Sequence, residues 1–354
     1  MSGGITNFSI QKTILSLKIF ELIMKYLILT ILIFFSFNSK SDEKTIIVLM
    51  YHRFNHPEYS DTSISKEKFE KQIKFLINQK IEILPLTDLL KYFEDQKDLP
   101  KKSVFITIDD AYKSFYQHAF PLLKKYKLPF SIFVSSKYIS DDKKTDFMSW
   151  EMLKEITNNK GLVLNHSKSH KSFLDLEINE LQKEVIENQI IINERLGQQP
   201  MIFSYPYGES SIEVETKIKE FGYKIAFSQH SSPISNNNNR LRLPRYSLNE
   251  QYGSMERFKM IMNNKPLVIN NNSYEDTIVN SDNLNFSFKT EFPSNTINCF
   301  INNDAFLKKE NKEKNKILLK INNLAKGNRY RINCTHIDQN KQIYWFGKMI
   351  KRLN

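Results

Sequence analysis

The sequence of 354 residues has only two cysteines, no evident internal repeat and no nucleic-acid-binding motif. It also lacks an apolar run near the amino end that could cross a membrane, because a spanning helix needs roughly 20 apolar residues and residues 26–37 fall short of that. Without a nucleic-acid motif, the net charge of +12 indicates a generally basic surface, or attraction to anionic glycans or membranes.

The amino-terminal region has the layout of a secretory signal peptide. Residues 24–25 (Met-Lys) give a basic start, residues 26–37 a short apolar core, and Ser39 and Ser41 a small polar end. Since no cysteine follows the core, lipid attachment there is excluded. We predict that residues 1–41 are an upstream extension and a signal peptide, and that the protein is exported to the periplasm or cell envelope. An uncleaved segment associated with the membrane is the alternative.

Both cysteines, Cys299 and Cys334, lie late in the chain. In an exported protein an isolated pair is a natural candidate for a disulfide, and two buried free thiols are the alternative. Each follows an asparagine within a short β-type run. We therefore predict a Cys299–Cys334 disulfide in the carboxyl-terminal region.

Residues 45–265 alternate apolar, β-type runs with amphipathic segments of helical spacing. A polar motif follows several of the runs, an order typical of an α/β barrel or a doubly wound parallel sheet. Ser65 and Ser149 have the positions of helix N-caps, and residues 112–126 have the spacing of one amphipathic helix. These patterns predict one large α/β domain, residues 42–265.

The pattern changes after about residue 266. An asparagine-rich stretch, residues 270–283, is typical of a linker, and short strand-like runs follow it. These runs predict a small β-rich accessory domain, residues 266–354. An extension packed on the barrel is the alternative.

Three polar motifs follow β-type runs. They are Asp109-Asp110, the pair His166 and His170, and the string Tyr-Pro-Tyr-Gly at residues 205–208. Strand ends of a parallel sheet meet on one face, where two histidines and one carboxylate can bind a catalytic metal and leave positions open. The second carboxylate can then accept a proton. Alone, each motif is weak, since a solvated turn or ordinary histidines would also explain it.

Together the motifs resemble those of the polysaccharide deacetylase superfamily, also called the NodB-homology or carbohydrate esterase family 4 group. The family motif T-F-D-D-G corresponds to TIDDA at residues 107–111, and H-[ST]-x-x-H is fully matched by HSKSH at residues 166–170. The third motif ends in P-Y-G, as SYPYG does at residues 204–208. The dipeptide Tyr51-His52, at the end of the first β-type run, resembles the sequence of the family branch that deacetylates poly-N-acetylglucosamine.

The resemblance implies a distorted (β/α) barrel with a small β-rich C-terminal domain, and hydrolysis of the N-acetyl group of an N-acetylglucosamine-containing polysaccharide. It implies a divalent metal, for which we expect zinc. The implied roles are Asp109 as general base, Asp110, His166 and His170 as metal ligands, the Tyr207 N–H as an oxyanion donor, and Tyr205, Pro206 and Tyr207 as substrate contacts.

The sequence departs from the family pattern at three places. Ala111 replaces a glycine, which matters little unless the backbone there needs a positive φ. Ser204 stands where many members have an arginine that orients the base. The late L-x-x-H motif, which supplies the usual general acid, has Asn270 in place of histidine. His52 is the best replacement acid, and a structural histidine is the alternative there.

Two other functions follow from these departures. One is a catalytically impaired, carbohydrate-binding pseudoenzyme, and the other is a deacetylase of peptidoglycan or another amide. The intact set of Asp109, Asp110, His166 and His170 disfavours the pseudoenzyme, because mere binding would not require both a base and a ligand set.

Overall fold

The computed structural model describes residues 24–25, 44–140, 145–199 and 201–353. Residues 44–354 belong to one compact unit and residues 1–43 to another. The predicted extension and signal peptide lie outside the described residues, apart from the helical residues 24–25. Within the described ranges, no helix combines the length and apolar character needed to cross a bilayer.

The amino-terminal part of the larger unit is built on a parallel sheet. In hydrogen-bonded order the sheet is β10-β1-β5-β6-β7-β8-β9 with β4 beside β5, and β2 and β3 form a separate pair. The strands are β1 Thr45–Tyr51, β2 Arg53–Phe54, β3 Ser63–Ile64, β4 Glu82–Ile83, β5 Lys102–Asp109, β6 Phe130–Val134, β7 Gly161–Asn165, β8 Ile202–Ser204, β9 Ile225–Phe227 and β10 Tyr246–Ser247.

The segment that ends in β10 closes the sheet into a barrel. Leu243 forms a parallel bridge to Phe227 of β9, and β10 pairs with β1 at the opposite edge of the sheet. A short connection therefore takes the place of complete β/α units. The predicted fold class, a distorted (β/α) barrel with a β-rich C-terminal region, is confirmed.

Alternation along β5 decides which side chains point into the barrel. Val104, Ile106 and Ile108 belong to one hydrophobic cluster, whereas Phe105 belongs to another with residues of the neighbouring strands. Because successive side chains of a strand point to opposite faces, Asp109 shares its face with Phe105. The first carboxylate of the pair is therefore directed inward, at the carboxyl end of the strand.

Helices surround the barrel. Ser65 and Ser149 are confirmed as N-caps, since their hydroxyls accept hydrogen bonds from the backbone N–H groups of Lys68 and Met152. The helices are α1 Lys66–Asn78, α2 Leu86–Phe93, α3 Lys113–His118, α4 Phe120–Lys125, α5 Trp150–Thr157, α6 Ile178–Leu196, α7 Ile212–Glu220 and α8 Met255–Asn263.

The single helix predicted over residues 112–126 is wrong, because the chain forms α3 and α4 there with a break at Ala119. Pro121 lies in the first turn of α4. Proline has no N–H and its ring clashes with the preceding turn, so it fits the start of a helix better than its interior.

Two further sheets follow the barrel and enclose their own hydrophobic core. One has the order β11-β19-β18-β15 with β13 beside β19, and the other is β12-β14-β17-β16. The strands are β11 Lys265–Pro266, β12 Ile269–Asn270, β13 Ile278–Val279, β14 Leu284–Thr290, β15 Ile297–Ile301, β16 Phe306–Glu313, β17 Lys316–Asn322, β18 Arg329–Ile337 and β19 Ile343–Arg352.

The predicted linker at residues 270–283 is part of this β-rich region. Ile269–Asn270 pairs with β14 and Ile278–Val279 pairs with β19. The abundance of asparagine therefore did not indicate a linker. Strands of two residues are too short to show the alternation of apolar and polar residues that marks a strand in sequence. The domain boundaries themselves stay a prediction.

Cys299 and Cys334 lie directly opposite each other on β15 and β18 and are joined by a disulfide. We expect Cys299→Ser with Cys334→Ser to lower the free energy of unfolding by about 3–4 kcal/mol, since the bond closes a long loop in the unfolded chain. Mass spectrometry of the non-reduced, mature protein and urea unfolding check this expectation. Two free thiols, or unchanged stability without the bond, would contradict it.

Candidate active site

The three motifs meet at the carboxyl ends of the strands. Asp109 is the last residue of β5, and His166 directly follows β7. Residues 205–208 directly follow β8. Because β5, β6, β7 and β8 are successive parallel neighbours, the sheet brings residues far apart in sequence to one edge.

Asp110, His166 and His170 form a compact group of metal-type ligands. Each offers one ligand atom, and these atoms lie within 4.8 Å of one another. The Asp110 Oδ1 atom is 3.5 Å from His166 Nε2 and 3.2 Å from His170 Nε2. One carboxylate and two imidazoles are the ligand types of a catalytic zinc site with open positions.

Hydrogen bonding fixes the orientation of the His166 ring. Its Nδ1 atom lies 2.7 Å from the carbonyl oxygen of Ser204, and since a carbonyl only accepts, Nδ1 carries the proton. The Nε2 atom is buried and has no hydrogen-bond partner in the described part of the chain. A ring held in this way presents a free lone pair towards Asp110, as ligating histidines do.

A tight turn brings the second histidine back to the first. The Asn165 side-chain oxygen accepts from the Ser167 N–H at 2.9 Å, and the Ser167 hydroxyl accepts from the His170 N–H at 3.0 Å. Ser167 and His170 both have positive φ, at 64° and 54°. The serine of the H-S-x-x-H string therefore shapes the turn that places both imidazoles together.

Asp109 is paired with an arginine that the sequence analysis did not identify. Arg245 donates from Nη1 and Nη2 to the two carboxylate oxygens of Asp109, both at 2.7 Å. Both side chains are completely buried. Burial alone would raise the pKa of Asp109, but the Arg245 guanidinium and the His166 ring outweigh it and hold the pKa below its ordinary value.

Arg245 compensates for the serine at position 204. Its Nη2 atom also donates to the Ser204 hydroxyl at 2.8 Å, so the guanidinium occupies the neighbourhood from which the family arginine is missing. Arg245 ends the string Leu-Arg-Leu-Pro-Arg at residues 241–245, which places a basic residue beside apolar ones but does not indicate the carboxylate that it binds. Arginine is almost never fully buried unless it is paired.

We expect Arg245→Lys to lower the free energy of unfolding by about 1.5–3 kcal/mol, because an ammonium cannot reproduce the two parallel bonds to Asp109. Turnover should fall as well, since Asp109 loses its fixed orientation. Urea unfolding and acetate release measure the two effects. Arg242→Lys is the matched control, because Arg242 pairs with Glu215 in the same two-bond manner and lies outside the candidate site. If Arg245→Lys loses no more than twofold in turnover relative to Arg242→Lys, Arg245 does not orient Asp109.

His52 lies beside the two carboxylates. It follows β1, its side chain is 13% exposed, and its Nε2 atom is 3.9 Å from Asp109 Oδ2. Burial lowers the pKa of His52, and the carboxylates of Asp109 and Asp110 only partly oppose this. The imidazole and the Asp109 carboxylate therefore face the same small volume.

The residues of the third motif differ in their surroundings. Tyr207 is 40% exposed, and its ring packs edge-on against that of His170 with the centroids 4.6 Å apart. Tyr205 is 0% exposed and donates from its hydroxyl to the carbonyl of Leu241. Pro206 is also buried. The expectation that Tyr205 contacts substrate is therefore wrong for its side chain, which packs in the hydrophobic core.

The backbone after Asp109 departs from the expectation for Ala111. Asp110 and Ala111 both have positive φ, at 71° and 57°. The glycine of the family motif would adopt this conformation without the penalty that a Cβ imposes. Replacement by alanine is therefore not conformationally neutral, and the buried Ala111 is held there by its surroundings.

A series of stacked side chains continues from Asp110 along the rim of the site. The Arg53 guanidinium lies 3.7 Å from the Tyr112 ring centroid, Tyr112 stacks on Phe147 at 4.9 Å, and Phe147 stacks on Tyr138 at 5.0 Å. No sequence pattern joins these side chains, because they come from separate segments of the chain.

An Asp-His-His group beside a buried, arginine-held carboxylate has the parts of a metal-assisted hydrolase site. Residues 96–226 match the family model described as Polysaccharide deacetylase. Residues 96–226 therefore carry a polysaccharide deacetylase domain, in agreement with the motifs of the chain.

Two of the curated relatives to which the chain is similar are deacetylases by name. The poly-beta-1,6-N-acetyl-D-glucosamine N-deacetylase of Staphylococcus aureus strain MSSA476 is 27% identical over 238 residues, covering 60% of this chain and 81% of that protein. The protein of the same name from Staphylococcus epidermidis is 25% identical over 232 residues, covering 58% of this chain and 80% of that protein.

Two structures show the same fold. IcaB from Ammonifex degensii has a TM-score of 0.55 at 23% identity, with 62% of this chain and 96% of that chain covered. The Streptococcus pyogenes deacetylase PplD has a TM-score of 0.57 at 20% identity, with 62% and 99% covered. At these identities the likeness concerns the fold alone.

Proposed function

We propose that the protein is a metal-dependent deacetylase that hydrolyses the N-acetyl groups of an N-acetylglucosamine-containing polysaccharide. The observation that carries the proposal is the Asp110, His166 and His170 group lying next to the arginine-held Asp109. A carbohydrate-binding protein without turnover would have no use for a buried carboxylate in this position. The names of the staphylococcal relatives support a poly-β-1,6-linked substrate.

The residues present fit a divalent metal, and zinc best matches their types. Asp110, His166 and His170 would hold it. The Nε2 atom of His166 has no hydrogen-bond partner among the described residues and so offers the lone pair that a metal ligand needs. A bound divalent metal supplies Lewis-acid polarisation of the acetamide carbonyl and lowers the pKa of water.

The protein's own side chains account for the proton transfers. Oδ2 of Asp109 takes a proton from the attacking water, whose oxygen forms the new bond to the acetamide carbon. The Tyr207 N–H donates to the oxyanion that develops on the carbonyl. His52 Nε2, 3.9 Å from that Asp109 oxygen, gives a proton to the departing amine as the C–N bond breaks. Acetate and a glucosamine unit result.

We place this activity in residues 42–265 and assign residues 266–354 to an accessory region. The substrate polymer implies that the protein works outside the cytoplasm, which agrees with the signal-peptide pattern of the amino end. The exposed part of Tyr207 and the stacked rings at the rim, Tyr112, Phe147 and Tyr138, suit the apolar faces of sugar rings.

Acetate release from a panel of polymers tests the proposal. Poly-β-1,6-N-acetylglucosamine, chitooligosaccharides and peptidoglycan are supplied at equal concentrations of acetyl groups, with boiled protein as the blank. We expect the β-1,6-linked polymer to release acetate fastest. Release from peptidoglycan alone would make peptidoglycan the substrate instead. Release from none of the polymers would favour the catalytically impaired pseudoenzyme.

His52→Asn tests the assignment of the general acid. We expect turnover to fall roughly 10²-fold, at the low end for loss of a proton-transfer group, because water can donate the proton in place of the imidazole. Metal content should be unchanged, since His52 is not in the ligand group. His118→Asn, a histidine on α3 outside the site, is the control. Normal turnover, or loss of metal, would make His52 a structural histidine or a ligand instead.

A further inference from the structure

The turn that carries Tyr207 has a strained backbone. Tyr207 has φ 59° and ψ 4°, a left-handed conformation that is unfavourable for a residue with a side chain. Such a conformation persists only where the surrounding structure fixes it. The contacts that fix this turn are therefore informative about the site.

The barrel supplies only part of these contacts. The Gly208 N–H donates to the carbonyl of Tyr205 at 2.8 Å, and the Ser228 hydroxyl donates to the carbonyl of Gly208 at 2.7 Å. The carbonyl of Tyr207 itself is bound from the β-rich region, where Nη1 of Arg329 donates to it at 3.1 Å. The same guanidinium lies 5.3 Å from the centroid of the Tyr207 ring.

The next residue, Glu209, ties the same elements together. Its carboxylate is 3% exposed and lies 2.8 Å from Lys351 Nζ and 3.4 Å from Arg329 Nε. The Ser172 hydroxyl donates to its other oxygen, and Ser172 follows the candidate ligand His170 by two residues. One buried carboxylate thus connects the Tyr207 turn, the His170 segment and the β-rich region.

The register of the β-rich sheet explains why both cations reach the turn. Arg329 of β18 and Lys351 of β19 are directly opposite in the antiparallel pair, so their side chains share a face. Arg331, two residues on and on the same face, donates from Nε to the carbonyl of Gln229 at 3.1 Å. This face of the sheet is therefore packed against the strand ends of the barrel.

We propose that Arg329 is a positioning residue for the oxyanion-binding turn, and that the β-rich region thereby completes the active site. The inference rests on the proposed function, in which the Tyr207 N–H binds the oxyanion. Arg329 fixes the 207–208 peptide through the carbonyl and the ring of Tyr207 through a cation–π contact. Both contacts hold the residue in its left-handed conformation before substrate binds, as preorganised transition-state stabilisation requires.

Arg329→Met, which keeps the apolar length of the side chain and removes the guanidinium, tests the proposal in the full-length protein. We expect kcat for acetate release to fall roughly 10- to 100-fold with KM nearly unchanged, because a donor displaced by a fraction of an ångström stabilises the transition state poorly. Arg329→Lys keeps the charge but not the fork, so it should recover only part of the loss.

Arg352→Met is the matched control. Arg352 lies on β19 and donates to the carbonyl of Leu324, so it has the same kind of bond within the β-rich region and none to the barrel turn. Its kcat should stay within about twofold of the wild-type value. Thermal unfolding of both variants separates a positioning role from a general loss of stability.

Hydrogen exchange gives a readout that does not depend on activity. The amides of Gly208 and Glu209 should exchange faster in Arg329→Met than in the wild type or in Arg352→Met. Faster exchange with unchanged kcat would overturn the positioning role. Unchanged exchange would show that Arg329 does not hold the Tyr207 turn. Should the wild type release no acetate from any polymer, the proposed function fails, and exchange still decides whether Arg329 holds the turn.

Discussion

Asp109→Asn should release acetate roughly 10²–10⁴-fold more slowly than the wild type while keeping its metal. The amide has nearly the size of the carboxylate but cannot accept the proton of the attacking water. The ligand group of Asp110, His166 and His170 is untouched by the change. Added metal should therefore not restore the turnover of Asp109→Asn. It should partly restore the turnover of Asp110→Asn, because that variant loses an anionic metal ligand.

The buried ion pair makes a second effect of Asp109→Asn unavoidable. Arg245 is completely buried and its guanidinium is bonded to both oxygens of Asp109. Breaking such a pair leaves an uncompensated buried charge and costs about 3–5 kcal/mol. Turnover must therefore be normalised to the folded fraction, which urea unfolding gives.

Glu215→Gln separates the two effects of Asp109→Asn. Glu215 on α7 forms a mostly buried two-bond pair with Arg242, so its loss should also destabilise the protein but leave turnover per folded molecule unchanged. If Asp109→Asn keeps near-normal turnover after the same correction, Asp109 is not the base.

His170→Ala should lose most of the bound metal and, with it, turnover. Its Nε2 atom is 3.2 Å from Asp110 Oδ1, and without it only two ligand side chains remain. Since removal of mere supporting groups weakens metal sites 10- to 100-fold, loss of a ligand should weaken binding by more than roughly 100-fold. Elemental analysis after dialysis against metal-free buffer measures the effect.

His118→Ala is the control for this metal measurement, because His118 lies on α3 and has no part in the ligand group. It should retain the wild-type metal content. Equal metal content in His170→Ala and the wild type would remove His170 from the site, and equal loss in both variants would indicate nonspecific binding.

Features that neighbouring residues encode could be predicted from the sequence. Asp109 ends one strand and His166 directly follows another. An apolar run marks each strand, and a parallel sheet gathers such ends on one edge. The same locality explains the correct N-caps at Ser65 and Ser149. Neither step requires knowledge of how distant segments pack.

Roles that depend on contacts between distant segments could not be predicted from the sequence. Arg245 bonds to a carboxylate 136 positions away, and Arg329 to a carbonyl 122 positions away, so neither pairing leaves a local pattern. The positive φ of Ala111 is likewise set by its surroundings. The break before Pro121 is different, because proline chemistry alone would have predicted it.

We propose above all that the Asp110, His166 and His170 group is the catalytic metal site of an N-deacetylase. The most direct measurement is acetate release from poly-β-1,6-N-acetylglucosamine by the wild-type protein before chelation, after chelation, and after zinc is restored. We predict release before, loss after, and recovery on restoration, with Asp109→Asn roughly 10²–10⁴-fold slower than the wild type before chelation and after restoration. Release that is unaffected by complete removal of metal would contradict the claim.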